Sequence, residues 1–226
     1  LTAATHAAGA LWHLESLAST KAVIVSAGGI AALVDLLGRI EGVEGASGQD
    51  AIAALLADLA RERGSAKASI VHRGGIPHLV HLLEKGSPVA QKHASCAIWG
   101  LTAEPVYQKA VIEAGAVPFL VKLLSDRKAQ GYAAAALNNL AHDAGARSKL
   151  MECGVVSPLT SISEGPETWL RSQAVGILQQ LKIEAPAARS MAQEMALRVD
   201  ALAKARRETF EVDNVEEGPP GSPKGN

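Results

Sequence analysis

His78 and His81 stand three residues apart, and His72 precedes them. On a helix that spacing turns two imidazoles to one face, as a zinc ion would require. No carboxylate or cysteine completes the set at ligand spacing, so these residues read as partly exposed helix histidines, with no metal implied. Cys96 is the other candidate reagent. A thiol attacks only as its thiolate, and Cys96 sits among alanines, where burial raises the pKa and leaves sulfur inert. Cys96 and Cys153 lack framework spacing and read as reduced thiols of a reducing compartment. The sequence contains no phosphate-binding loop with its lysine, no dinucleotide fingerprint, no nucleophile elbow and no Cys-x-x-Cys pair. It predicts neither a catalytic activity nor a cofactor.

The elements that carry these residues repeat. One phrase recurs as SAGGIAALVDLL at 26–37, HRGGIPHLVHLL at 72–83, EAGAVPFLVKLL at 113–124 and ECGVVSPLTSI at 152–162. Its anchor glycines, Gly28, Gly74, Gly115 and Gly154, are 46, 41 and 39 residues apart. Repetition at this period with helical periodicity inside each unit predicts an all-α solenoid. Aromatic content is 3%, and alanine, leucine, glycine and valine dominate, which suits closely stacked helices rather than a β-sandwich.

Within each unit the glycine is expected to end a short helix in the left-handed conformation. Pro77 and Pro118 then fall in the first turn of a second helix, where a missing N–H costs nothing. Five alanine-rich segments follow the same plan as third helices: 6–18, 50–62, 93–104, 132–143 and 172–184. Each has apolar residues at i, i+3, i+4 and i+7, such as Ala133, Ala136, Leu137 and Leu140.

This three-helix unit resembles the armadillo repeat family over about residues 4–184. The resemblance rests on Ala27-Gly28 through Leu36-Leu37, Gly74-Gly75-Ile76-Pro77 through Leu82-Leu83, Glu113-Ala114-Gly115 through Leu123-Leu124, and Ala135-Ala136-Leu137-Asn138-Asn139-Leu140-Ala141. HEAT repeats, the near alternative, have two helices per unit and lack the glycine-proline anchor. The resemblance implies a right-handed solenoid of about four to five repeats, the first incomplete. It also implies that the third helices line a concave groove.

Armadillo arrays that bind nuclear localisation signals carry a Trp and an Asn four residues apart on each third helix. The Asn position corresponds here to His13, Asp58, Gly100, Asn139 and Gln180, and the Trp position to Gly9, Ala54, Cys96, Ala135 and Gly176. Only Asn139 matches, so binding of such signals by that mechanism is not expected. Small residues on this floor would admit a partner helix closely. One turn on, the row reads Leu17, Glu62, Glu104, Asp143 and Glu184. Placed near helix C-termini, such charges oppose the helix dipole by roughly 0.3–1 kcal/mol. The row therefore reads either as a device that steers a basic segment or as solvated loop carboxylates. Trp12 and Trp99 precede the ladder position, where Asn138 and Gln179 stand in later units. They read as interface anchors or as packing over the neighbouring third helix.

Residues 1–185 are therefore expected to form the array. Residues 186–210, with Pro186 at the start and Ala188, Met191, Met195, Val199 and Leu202 as a partial stripe, form a capping or docking helix. Residues 211–226 read as a disordered tail. The 38–48 segment, rich in Gly and Glu, reads as a mobile loop. The chain begins with Leu1, so either it is a fragment or something has been removed.

Net charge is −1, from 22 basic and 23 acidic side chains, so no global field recruits nucleic acid or an anionic membrane. No apolar run reaches the ~18–20 residues needed for membrane insertion. The expected function is non-catalytic protein–protein interaction. A peptide or helix of a protein partner, such as a basic segment, would bind in the groove at Trp12, His13, Asp58, Glu62, Trp99, Gly100, Glu104, Asn138, Asn139, Asp143, Gln180 and Glu184. The protein would be an intracellular, most simply cytoplasmic, adaptor or structural subunit of a hetero-complex, with cytoskeletal or organellar assemblies as settings. The alternative is the armadillo portion of a ubiquitin-ligase-type or other enzyme-associated protein whose catalytic domain lies outside this chain.

Overall fold

The anchor glycines make the turns that the repeat requires. Gly28, Gly74, Gly115 and Gly154 have φ of 71°, 75°, 79° and 68°, the left-handed region that side-chain-bearing residues avoid. Each turn leads the chain from a short first helix into a second helix. The computed structural model describes residues 18–40, 46–62 and 64–182.

The first unit is α1 (Ala18–Ser26), α2 (Gly29–Leu37) and α3 (Ala46–Arg61). The second is α4 (Ala66–His72), α5 (Gly75–Lys85) and α6 (Pro88–Thr102), and the third is α7 (Pro105–Glu113), α8 (Ala116–Leu123) and α9 (Gln130–Leu140). The fourth is α10 (Ala144–Glu152), α11 (Val156–Ser163) and α12 (Thr168–Gln180). All regular elements among the described residues are helical.

The core is continuous from Ile24 to Leu178. Second helices contribute its branched side chains: Ile30, Leu33, Val34 and Leu37 of α2, Leu79, Leu82 and Leu83 of α5, and Leu120 and Leu123 of α8 are all buried. The third helices pack against one another in sequence order, α3 on α6, α6 on α9 and α9 on α12. Their alanines make this possible: Ala53, Ala54, Ala60, Ala94, Ala97, Ala133, Ala134 and Ala136 are fully buried. Each unit thus buries its faces against its neighbours, as expected for a solenoid.

The third helices start earlier than their apolar stripes suggest, at Ala46, Pro88, Gln130 and Thr168. Their first turns fall outside the regular apolar stripe, and other signals set them. Ser87 accepts a hydrogen bond from the Ala90 amide at 3.0 Å, and Pro88 occupies the first turn. Residues 46–48 belong to α3, so of the expected 38–48 loop only 41–45 lies outside the described residues, with 38–40 following α2 directly.

A clamp at one repeat position ties each third helix to the turn before it. Gln49 donates to the Ile40 carbonyl at 2.9 Å, Gln91 to Leu83 at 3.1 Å, Gln130 to Leu124 at 2.9 Å and Arg171 to Gly165 at 3.1 Å. Each donor satisfies a carbonyl that the chain's departure from the second helix would otherwise leave open. The N-terminal third helix 6–18 up to residue 17, the 186–210 helix and the 211–226 tail lie outside the described residues.

Candidate functional site

Third helices have one face on the core and one face open, and the residues expected to bind a partner are distributed over the open face. Trp12, His13, Leu17 and Glu184 lie outside the described residues. Asp58, Trp99, Asn138, Asn139 and Gln180 are partly exposed, and Glu62, Glu104 and Asp143 are exposed.

Gly100 is different. It is buried, and a Cβ there would lie 2.6 Å from the Ala60 carbonyl oxygen. The close approach expected of a partner helix is made by the neighbouring third helix of the array. The other small residues of that floor behave alike: Ala54 is 0% exposed, Cys96 4% and Ala135 2%. At Gly176 a Cβ would meet Asn138 Oδ1 at 2.9 Å, so this glycine makes room for an amide of the previous repeat.

That amide belongs to an internal ladder. Asn138 donates to Gln173 Oε1 at 3.0 Å and accepts from Gln180 Nε2 at 3.2 Å. Asn139 donates to Thr102 Oγ1 at 3.2 Å. Gln180 Nε2 also lies 3.5 Å from His142 Nε2, while its Oε1 has no partner among the described residues. Asn139, the residue that matches the family ladder, is thus bonded across the stack.

The acidic row also serves the array. Lys21 pairs with Glu62 at 3.1 Å, and Lys67 pairs with Glu104 at 3.1 Å. Lys67 is only 9% exposed, and its carboxylate partner keeps a nearly buried ammonium from being isolated. Asp143 accepts from the Ala146 amide at 2.8 Å. Glu104 and Asp143 are the N-cap residues of α7 and α10. The expected conflict with a helix dipole is therefore reversed: these carboxylates sit at the favourable, positive end of the next helix.

The open face has an aromatic centre. Trp99 of α6 lies 5.9 Å from Tyr132 of α9, ring centroid to centroid, at an interplanar angle of 34°. It lies 6.5 Å from Trp169 of α12, edge on, at 76°. Trp169 packs against Gly131 of α9, where a Cβ would stand 3.0 Å from the indole Cζ3. Trp99 and Tyr132 are half-buried, and Trp169 is 51% exposed. Trp99 thus packs over its neighbours while presenting part of its surface. Tyr132 and Trp169 were not foreseen, because the three aromatics occupy different positions in the repeat and no alignment places them in one row. Helical side chains lean toward the N-terminus, which brings the Trp99 ring back from the last turns of α6 toward the first turn of α9.

Electrostatics beside this centre are local. Burial pushes the Cys96 thiol up to about 11, against the smaller opposing influence of Arg61. Burial also raises the Tyr132 phenol and lowers the pKa of His93, the latter assisted by Lys92. Arg61 and Asp58 pair at 3.4 Å.

His78 packs its ring over Gly38 at the end of α2, while His72 and His81 are exposed. Among the described residues no three His, Cys, Asp or Glu side chains gather at metal-holding distances. Among them, too, no helix is long and apolar enough to cross a membrane. A cleft of about 590 Å³ lies beside α1, lined by Lys21, Val25, Leu59, Glu62 and Ser65. It lies between the first and second units, whereas the aromatic centre is built from the second, third and fourth.

The family model described as Armadillo/beta-catenin-like repeat matches residues 66–103 and 105–142, the second and third units. A designed armadillo repeat protein, YIII(Dq)4CqI, is similar with TM-score 0.68 and 26% identity, covering 78% of this chain and 75% of its own. An engineered protein matches with TM-score 0.67 and 32% identity, over 79% of this chain and 72% of its own. Computationally designed armadillo repeat proteins for modular peptide recognition match with TM-score 0.67 and 26% identity, over 84% of this chain and 82% of theirs. No curated protein is a significant sequence match. With glycine-anchored three-helix units confirmed in the coordinates and two of them matched by the family's own model, this chain belongs to the armadillo repeat family.

Proposed function

We propose that this chain is a protein-interaction module whose open third-helix face binds an extended segment or a helix of a partner protein, as an adaptor or structural subunit of a larger assembly. The partly exposed Trp99–Tyr132–Trp169 cluster, spanning three consecutive repeats, carries this reading. Large aromatic rings held rigidly by their neighbours bury much apolar area at small entropic cost, the character of binding anchors. The fold supports the reading as well, since the similar designed armadillo proteins are described as made for modular peptide recognition. Cys96, beneath this face, is buried with its thiol held protonated.

A displayed peptide library selected against the full chain tests the proposal. Selected peptides are expected to lose at least tenfold in affinity on Trp169→Ala, about 1.4 kcal/mol. They should be unaffected by Lys122→Ala, on a second helix. Equal losses from both substitutions would refute binding at the third-helix face.

A further inference from the structure

Among the described residues, several polar groups of the open face are already engaged within the stack. Asp58 and Arg61 pair with each other, and Asn138, Asn139 and Gln173 hydrogen-bond within the stack. Beside them stand Trp99 and two rings inclined to it, Tyr132 at 34° and Trp169 at 76°, so the three do not form one flat stack. Aromatic rings inclined to one another suit the polyproline II helix. Its prolines have fixed φ, carry no N–H to satisfy, and lose little entropy on docking.

The chain itself holds such a segment, Gly218-Pro219-Pro220-Gly221-Ser222-Pro223-Lys224. Pro220 and Pro223 are three residues apart, one polyproline II turn, and would share a face. Just upstream stand Glu211, Asp213, Glu216 and Glu217. On the array, Arg61 and Lys92 lie close enough to Cys96 to act on its thiol, and Cys96 is in hydrogen-bonding reach of Tyr132. Arg61 is paired with Asp58, which acts on the same thiol, so it is Lys92, one helical turn before Cys96, that stands as a basic side chain beside the aromatic centre where an acidic lead-in would run.

We propose that the Trp99–Tyr132–Trp169 ridge is a docking site for a proline-rich segment in polyproline II form, and that its resident occupant is this chain's own Pro219–Pro223. The proposal rests on the reading that the third-helix face is the contact surface. Reach permits it: Trp169 lies about 17 Å before Gln180 along α12, and residues 183–218 can span up to about 120 Å when extended. Tethering raises the effective concentration of the segment to the millimolar range, so even weak docking would fill the ridge. A partner would then have to displace it.

The test titrates a synthetic peptide of residues 211–226 into three full-length proteins. They are the unaltered chain, the chain with Pro219→Ala, Pro220→Ala and Pro223→Ala, and that triple variant with Trp169→Ala added. The triple variant should bind the peptide at least tenfold more tightly than the unaltered chain, because its ridge is vacated. Adding Trp169→Ala should abolish binding, and Trp169→Phe in its place should retain it, which separates a lost contact from a lost fold. Equal binding by the unaltered and triple-variant chains, or binding by neither, overturns the proposal. A dimer of the unaltered chain that the triple variant lacks, seen by sedimentation velocity, places the segment on a second copy and overturns the intramolecular assignment. If the peptide fails to bind while library-selected peptides still depend on Trp169, the contact face stands and this occupant falls.

Discussion

Gly100 shows how one residue can be misassigned by its place in a repeat. Alignment puts it on the partner-binding ladder, whereas packing gives it to the α3–α6 contact, with no space for a Cβ beside the Ala60 carbonyl. Propensity alone predicts that Gly→Ala inside a helix stabilises by roughly 0.5–1 kcal/mol. Here the sign should reverse: Gly100→Ala should destabilise by about 1–3 kcal/mol, as overpacked cores do. Urea denaturation of the full chain reads the difference, and a gain in stability would show that α3 and α6 are less closely apposed. His93 offers a pH test. Burial lowers its folded pKa below the ordinary value of 6.5, so the unfolded chain takes up the proton first. Stability therefore rises with pH across that interval and falls as pH drops below about 6.5. His93→Gln should flatten the slope of urea midpoint against pH between 7 and 5; identical slopes for the two proteins would contradict it.

At the scale of elements, the sequence was legible wherever one residue type has one physical use. Glycine with positive φ, proline in the first turn and a leucine-rich second helix each follow from local chemistry, and all four turns appear where the phrase recurs. The third-helix starts were less legible, because polar side chains set them through caps and clamps that leave no hydrophobic period. Gln49, Gln91, Gln130 and Arg171 share a repeat position, yet only the structure shows that each reaches a carbonyl at the end of the second helix or just beyond it. The junction acids were misplaced for a related reason. A residue just beyond one helix is also just before the next, and Asp143 uses its carboxylate on the second. Asp143→Ala should cost about 1 kcal/mol by loss of the cap. Hydrogen exchange should accelerate first in α10, and Asp143→Asn should restore most of the loss. Uniform acceleration across the array would mean that Asp143 acts through something other than this cap.

The molecule as a whole is a stack whose units bury faces against their neighbours, with one layer of third helices left open on one side. The family and architecture were readable from four recurrences of a phrase. The aromatic centre was not, because it is assembled from three repeats at three different repeat positions. Gly131 helps it to form, since a Cβ there would stand 3.0 Å from the Trp169 ring. Solenoids present two long surfaces, and the proposed contact lies on one of them. Crosslinking mass spectrometry of the protein in complexes isolated from its native source tests that assignment most directly. Lys92 belongs to a third helix, whereas Lys85, Lys109, Lys122 and Lys149 belong to first and second helices. The account predicts crosslinks to a partner concentrated at Lys92, with the other four sparsely linked. Partner crosslinks spread over Lys85, Lys109, Lys122 and Lys149, with none at Lys92, would place the partner on the opposite surface and contradict it.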